Sequence, residues 1–198
     1  KNNDVYLFEE ELTRSSINKE TFLKLPFYFN GKHINKKIDK SILTIKDKKK
    51  HHYEVYTKPY ENIDLLVPQI RSNMWCEVYY IYKNKGLPLM KQETSINYCI
   101  VKNGTCKVYF IHPKFKEHFN TWENNKQILS KDKSKIDFIK KNSYITNIIF
   151  HKNTVLYIPN EWIIYVENIG ENTCVLEKIN YSTLFNQLIR RVKKVFNK

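Results

Sequence analysis

The sequence predicts a mainly β domain, an antiparallel sandwich or barrel with flanking helices. Three observations carry that prediction. The apolar residues are chiefly aromatic and β-branched, types that fit a pleated, half-buried surface, within a hydrophobic share of 41% and an aromatic share of 14%. Short apolar runs recur along most of the chain, punctuated by Asn-Gly, Pro and Lys-Asn-Lys-Gly turns. One segment breaks this rhythm. Residues 182–196 place Leu184, Phe185, Leu188, Ile189, Val192 and Phe196 at helical spacing, with Ser182 or Thr183 as cap. A chain of 198 residues is long enough for one domain with a sizeable core.

Taken in order, the chain opens with the apolar patch Val5–Phe8 and an acidic run, Glu9 to Glu11. A helix then follows from a Ser15 or Ser16 cap, with Ile17, Phe22 and Leu25 on its apolar side. Pro26 forces an extended exit into Phe27–Phe29, closed by Asn30-Gly31. Ser41–Ile45 reads as a short strand between Lys-rich loops, Glu54–Tyr56 as another, and Tyr60–Ile70 as a connector with a short helix. A long β-run covers Met74–Tyr82. Lys91–Val101 and Lys107–Ile111 read as a hairpin across Asn103-Gly104, since Asn-Gly between β-runs is a strong hairpin signal. In the polar stretch 113–144, Phe115, Phe119 and Trp122 have helical spacing, and Ile136–Phe138 reads as a short extended piece. The final strands are Ile145–Phe150, Val155–Ile158, Trp162–Asn168 and Thr173–Ile179. No repeat and no Gly/Ser linker divides the chain. The expected organisation is one domain over 1–180 with a basic helical tail over 181–198.

The chain contains no Ala, 30 Lys and 22 Asn, the imprint of a very AT-rich genome. That bias weakens the inference from a net charge of +14, which would otherwise point to a polyanionic partner. Only four basic residues are Arg, the type suited to bidentate base and phosphate recognition. The densest cluster, Lys46-Asp47-Lys48-Lys49-Lys50-His51-His52, is a solvated hairpin tip or a contact for nucleic acid or another polyanion. Cys76, Cys99, Cys106 and Cys174 form no CxxC pair and no zinc spacing, so reduced thiols in a reducing intracellular compartment are expected. No run approaches the ~20 apolar residues of a membrane-spanning helix. Lys1 in place of an initiator Met predicts a fragment or a processed form.

The segment 154–168, an apolar run, Ile158-Pro159, two free positions, Trp162, one position and then Ile164, resembles the last metal-binding hairpin of the JmjC-like cupin oxygenases. In that family a His stands where Ile164 stands here. The helix–Pro–strand–Gly order of the N-terminal part is similar to the entry of the same family. The resemblance implies a double-stranded β-helix, the cupin jelly roll, and is most specific over 88–113 and 145–168. Active members hold Fe(II) with two His and one carboxylate and leave positions open for 2-oxoglutarate and oxygen.

Anchored on Gly104, the resemblance places the first His on Lys91, the carboxylate on Glu93 and the second His on Ile164. A pocket-lining Asn falls on Asn97, and the Lys that commonly holds the co-substrate falls on Cys106, beside Lys107. Ser95 and Trp162 complete the pocket candidates. Alternation supports that register: Lys91, Glu93, Ser95, Asn97 and Cys99 share one polar face. Glu93 alone cannot hold Fe(II), and a protonated Lys offers no ligand. Lys91 is therefore expected to pair with Glu93 in the vestigial site. A rival metal set is His52-Tyr53-Glu54 with His118 or His151.

These residues together point to a non-catalytic JmjC-like cupin, a pseudoenzyme acting as a scaffold or protein-interaction module. The alternatives are an Fe(II)/2-oxoglutarate oxygenase, a hydroxylase or demethylase with atypical ligands, and a basic nucleic-acid-associated protein. The expected contact for a protein partner or a second copy is the C-terminal helix, through Leu184, Leu188 and Val192 with Arg190 and Arg191 on its basic face.

Overall fold

The computed structural model describes residues 5–8, 24–32, 34, 37–49, 51–59, 73–94, 96–115, 133–142 and 145–182. Its strands are β1 (Tyr6–Phe8), β2 (Phe27–Asn30), β3 (Thr44–Lys49), β4 (Tyr53–Lys58), β5 (Asn73–Ile81), β6 (Met90–Lys91), β7 (Ile96–Asn103), β8 (Thr105–Ile111), β9 (Thr146–His151), β10 (Thr154–Pro159), β11 (Ile163–Asn168) and β12 (Cys174–Ser182). Among the described residues one α-helix, α1, covers Lys133–Lys141. The helices expected over 15–25, 60–70 and 183–196 lie outside the described residues, save for Lys24 and Leu25, which are not helical. Ser182, one of the two expected caps, is the last residue of β12 and carries that strand past the expected domain boundary.

Two sheets face each other. The larger runs β1-β2-β10-β7-β12-β5-β4-β3 and the smaller β6-β11-β8-β9. From β5 to β12 the chain passes back and forth between them, with β8 and β9 the consecutive pair that stays in one sheet. This interleaving, with β5-β12-β7-β10 against β6-β11-β8-β9, is the strand order of an eight-stranded jelly roll, the double-stranded β-helix.

Topology corrects the expected hairpin. β7 is hydrogen-bonded to β10 on one edge and β12 on the other, so neither edge is open to β8. The chain therefore crosses to the opposite sheet at Gly104, whose φ of +82° suits a residue without Cβ. Cys106 consequently pairs with Phe150 and Asn168 in the small sheet. A second correction concerns Lys91–Val101, which is two strands in two sheets. Thr94 and Asn97 clasp the break: the Thr94 hydroxyl donates to Asn97 Oδ1, and Asn97 Nδ2 donates to Thr94 O at 3.1 Å and Ile158 O at 3.2 Å. Third, Ile136–Phe138 is helical. Its extended reading fails because Ile136 and Ile139 recur at helical spacing and pack on Tyr109, Ile111 and Tyr165, the outer face of the small sheet. Fourth, the strand expected over Ser41–Ile45 begins at Thr44 and runs through the lysines to Lys49, after a 3-10 turn capped by Asp39.

Between the sheets lies the main core. Cys99, Val101, Leu156, Ile158 and Leu176 from the large sheet meet Val108, Phe110, Ile164 and Val166 from the small one. The interior leaves a cavity of about 10 Å³, lined by apolar side chains and Cys99 and Cys106. That space is at the lower limit for one water, and its lining offers no polar partner strong enough to retain one. All four cysteines are free thiols and buried. On the outer face of the large sheet, Tyr98, Ile100, Tyr157, Ile179 and Tyr181 form a second buried cluster. There Glu177 is gripped by Lys58 at 2.5 Å and Lys102 at 2.9 Å. Removing any one partner of such a buried set leaves an uncompensated charge.

Gly104 gives a direct test of the crossing. A Cβ there would sit 3.0 Å from the Cys174 Cα, in a left-handed backbone that L side chains avoid. Gly104→Ala is expected to lower unfolding stability by about 1–3 kcal/mol, read as a smaller urea midpoint at unchanged m value. An unchanged midpoint would show that the crossing tolerates another backbone conformation.

Candidate functional site

The residues that should carry a jelly-roll metal site are set by which side chains point between the sheets. β6 pairs with β11 so that Met90 lies opposite Ile164 and Lys91 opposite Ile163. Ile164 belongs to the inner core and Ile163 to the outer cluster. Met90 therefore points inward, as does Gln92, which is fully buried. Lys91 points out and binds Glu161 at 2.7 Å, while Glu93 is exposed. The expected Lys91–Glu93 pair across a vestigial site is thus replaced by a surface pair between Lys91 and Glu161, of the kind worth about 0–1 kcal/mol. The alternation read through Lys91, Glu93, Asn97 and Cys99 fails because the Thr94–Asn97 clasp shifts the phase by one residue.

The inward positions are Met90, Gln92 and Ile164: a thioether, a neutral amide and a hydrocarbon. Fe(II) with 2-oxoglutarate calls for imidazole and carboxylate donors, and these three residues do not fit it. Among the described residues no three His, Cys, Asp or Glu come together in a metal-holding group.

The other candidates are dispersed. Asn97 is buried and spent on the clasp. Ser95 lies outside the described residues. Cys106 sits beside Cys174, and its thiol is pushed well up by that hydrogen bond and by burial. Lys107 lies on the outer face, 5.3 Å from the Tyr109 ring centre. Trp162 anchors the N-terminal segment, its indole N–H donating to Lys24 O at 3.2 Å and its ring lying 4.9 Å from His112. The structure does not gather them into one pocket.

The rival set dissolves in the same way. Glu54 accepts from Tyr56 at 2.7 Å and Tyr82 at 2.8 Å and faces Lys48 at 2.9 Å. Tyr53 is in the core, and His151 Nδ1 lies 3.2 Å from the Thr105 hydroxyl. His118 lies outside the described residues. The hydrogen bonds from Tyr56, Lys48 and Tyr82, in that order of effect, hold the Glu54 carboxyl at about 2. The Lys-rich strand is similarly compensated. Lys46 meets Glu77, Lys48 meets Glu54 and Lys49 meets Asp47.

What the structure does bring together is a polar corner that sequence reasoning missed. On the inner face of the large sheet, Lys178 lies between Glu77 on β5 and Cys99 on β7. Two residues on, Asn180 faces Asn97. Glu77 is taken by Lys46 and by the Tyr79 hydroxyl at 2.8 Å. Burial lowers the Lys178 pKa, opposed by Cys99 and by the carboxylates of Glu77 and Glu93. Lys178 is 7% exposed, Asn180 2% and Gln92 0%. A signal was present: alternation through Cys174, Leu176 and Lys178 puts a lysine on an apolar face.

No protein-family model matches the chain, and no curated protein matches it. Among solved structures, the chain is similar to the cupin domain of Schizosaccharomyces pombe Cnp3, with 12% identity, a TM-score of 0.46, and coverage of 78% of this chain and 79% of that one. It is also similar to oxalate decarboxylase from Bacillus subtilis, with 12% identity, a TM-score of 0.42 and coverage of 66% of this chain. The chain spans 26% of the length of that decarboxylase. At these modest TM-scores the jelly-roll assignment rests on strand order and register.

Two outcomes follow from this geometry. Met90→His with Gln92→Asp and Ile164→His should create a Co(II) or Ni(II) site visible by absorbance in folded protein. The same set moved one residue, Lys91→His with native Glu93 and Ile164→His, should not. The reverse result would restore the original register. Glu54 gives a pH test. Its folded pKa of about 2 lies below the ordinary glutamate value of 4.5, so its stabilising share is present above the unfolded value and is lost as pH falls from 4.5 towards 2. Glu54→Gln should flatten the loss of stability across that window. Identical slopes in both proteins would contradict it.

Proposed function

We propose that the chain is a JmjC-like cupin without iron chemistry that works as a protein-interaction module. The observation that carries this reading is the inward set Met90, Gln92 and Ile164, which closes the metal position with groups that cannot serve Fe(II) and 2-oxoglutarate. The packed interior supports it, since Ile164 is fully buried against its neighbours. A jelly roll with a filled interior is left with its surfaces for function.

The surface best suited to a partner is the amphipathic helix that the sequence predicts over 182–196. Its stripe of Leu184, Leu188 and Val192 needs cover, and Arg190, Arg191, Lys193 and Lys194 keep the opposite face soluble. Self-association or docking on a larger assembly would provide that cover. A polyanion contact through Lys46–His52 has less support, because three of its lysines face carboxylates in the fold.

Leu188→Glu with Val192→Glu is expected to abolish association in light scattering, or capture by the partner, while β-sheet circular dichroism stays intact. Unfolding of the domain by the same pair would assign the stripe to its own core and overturn the reading.

A further inference from the structure

β9 is the strand whose free side the packing leaves unexplained. Four strands end the two sheets: β1 and β3 the larger, β6 and β9 the smaller. β1 has three residues and β6 two, too short to hold a partner strand. β3 has six but carries Lys46, Asp47, Lys48 and Lys49, and charges along an edge discourage strand addition. β9 also has six, Thr146 to His151, and includes no Lys, Arg, Asp or Glu. Among the described residues β8 pairs with one side of it and no strand with the other. Asn147, Ile149 and His151 are exposed, Ile149 by 49%. A cleft of about 220 Å³ adjoins this edge, with Leu7, Tyr28, Asn30 and Lys152 in its lining. Lys152 directly follows β9, and the Tyr28 ring centre lies 5.0 Å from that of Phe150 on β9.

A strand added to an edge lies about 4.8 Å out, and its alternate side chains face the opposite sheet about 10 Å away. Here the opposite sheet presents Leu7 and Tyr28, adjacent in the β1–β2 register, with Leu7 52% exposed. On the outer face of the small sheet, Lys107 is across from Ile149. The net charge of +14 disfavours a second copy as the occupant and favours an acidic chain. We propose that β9 and its cleft take up an extended acidic peptide of a partner protein by strand addition. Its main chain would bond to the edge between Asn147 and His151. Its apolar side chains would turn to Leu7 and Tyr28, and its carboxylates would lie beside Lys107 and Lys152. This inference rests on the reading of the domain as a protein-interaction module, but it uses a surface separate from the C-terminal stripe.

The test is fluorescence anisotropy of the whole chain with a labelled hexapeptide of alternating Val and Glu at fixed ionic strength. That peptide should bind saturably, and its Val-Lys counterpart about tenfold more weakly or worse. The Val-Glu peptide methylated at every amide nitrogen has no main-chain donors and should not bind. Ile149→Glu should weaken binding about tenfold, whereas Ile45→Glu, the same change at an exposed position of β3, should leave it unchanged. In the unsubstituted protein, amide chemical shifts from Asn147 to His151 should move saturably, a readout that does not depend on a variant folding. Absence of saturable binding overturns the proposal, as do equal binding by the methylated or Val-Lys peptide, or shifts confined to other parts of the chain. Slower hydrogen exchange at 147–151 on raising the protein concentration without peptide would assign the edge to a second copy and also overturn it. None of these results bears on the Leu188→Glu, Val192→Glu protein, which reports on the C-terminal stripe separately.

Discussion

The structure depends on the period of two along its strands, and on the one place where that period is reset. In a sandwich with one inner face, a single-residue slip sends every side chain of a strand to the wrong side. Here β6 and β7 are consecutive and share no sheet, and the reset between them is enforced by Thr94 and Asn97. Each satisfies the other, and Asn97 also reaches the Ile158 carbonyl on β10. This small clasp decides that Met90 and Gln92 face the interior and that Lys91 and Glu93 do not. An alignment that matches spacing without seeing the break reads the site one residue out of phase.

Most strands were legible because their apolar runs are long and bounded by turn residues. β5, β8, β10 and β11 fall close to where the sequence places them. Pairing was less legible, because Asn103-Gly104 carries the local chemistry of a hairpin whichever sheet the next strand joins. The deciding fact was tertiary: both edges of β7 are already occupied by strands from the far end of the chain. The α1 misreading has a similar origin. A short stretch such as Ile136-Asp137-Phe138 has too few residues to separate period 2 from period 3.6, and the outer face of the small sheet settles the matter.

The two runs of the expected hairpin over 154–168 are β10 and β11, which lie in different sheets and do not pair, although Ile164 does occupy the inward position opposite β6. What the family resemblance could not supply was a site. The polar face read from alternation over Lys91–Cys99 combines residues that point out with residues that point in. The polar corner instead draws on β5, β7 and β12, which are up to about a hundred residues apart in sequence. No local pattern joins Glu77, Cys99 and Lys178; only the sheet registers do.

The interior is thus divided. Around Ile164, Leu156 and Val166 it is apolar and closed, with room for no more than about one water. Around Lys178 and Asn180 it is polar and incompletely satisfied. Stability alone favours extending the apolar end, since well-packed hydrocarbons commonly match or exceed buried ions. A lysine kept among Leu176, Cys99 and Tyr79 therefore works against the economy of the fold around it. The Lys58–Glu177–Lys102 set on the opposite face is at least balanced by direct contact. Lys178 faces Glu77 across the strand pair, and the carboxylates of Glu77 and Glu93 offset part of what its burial costs.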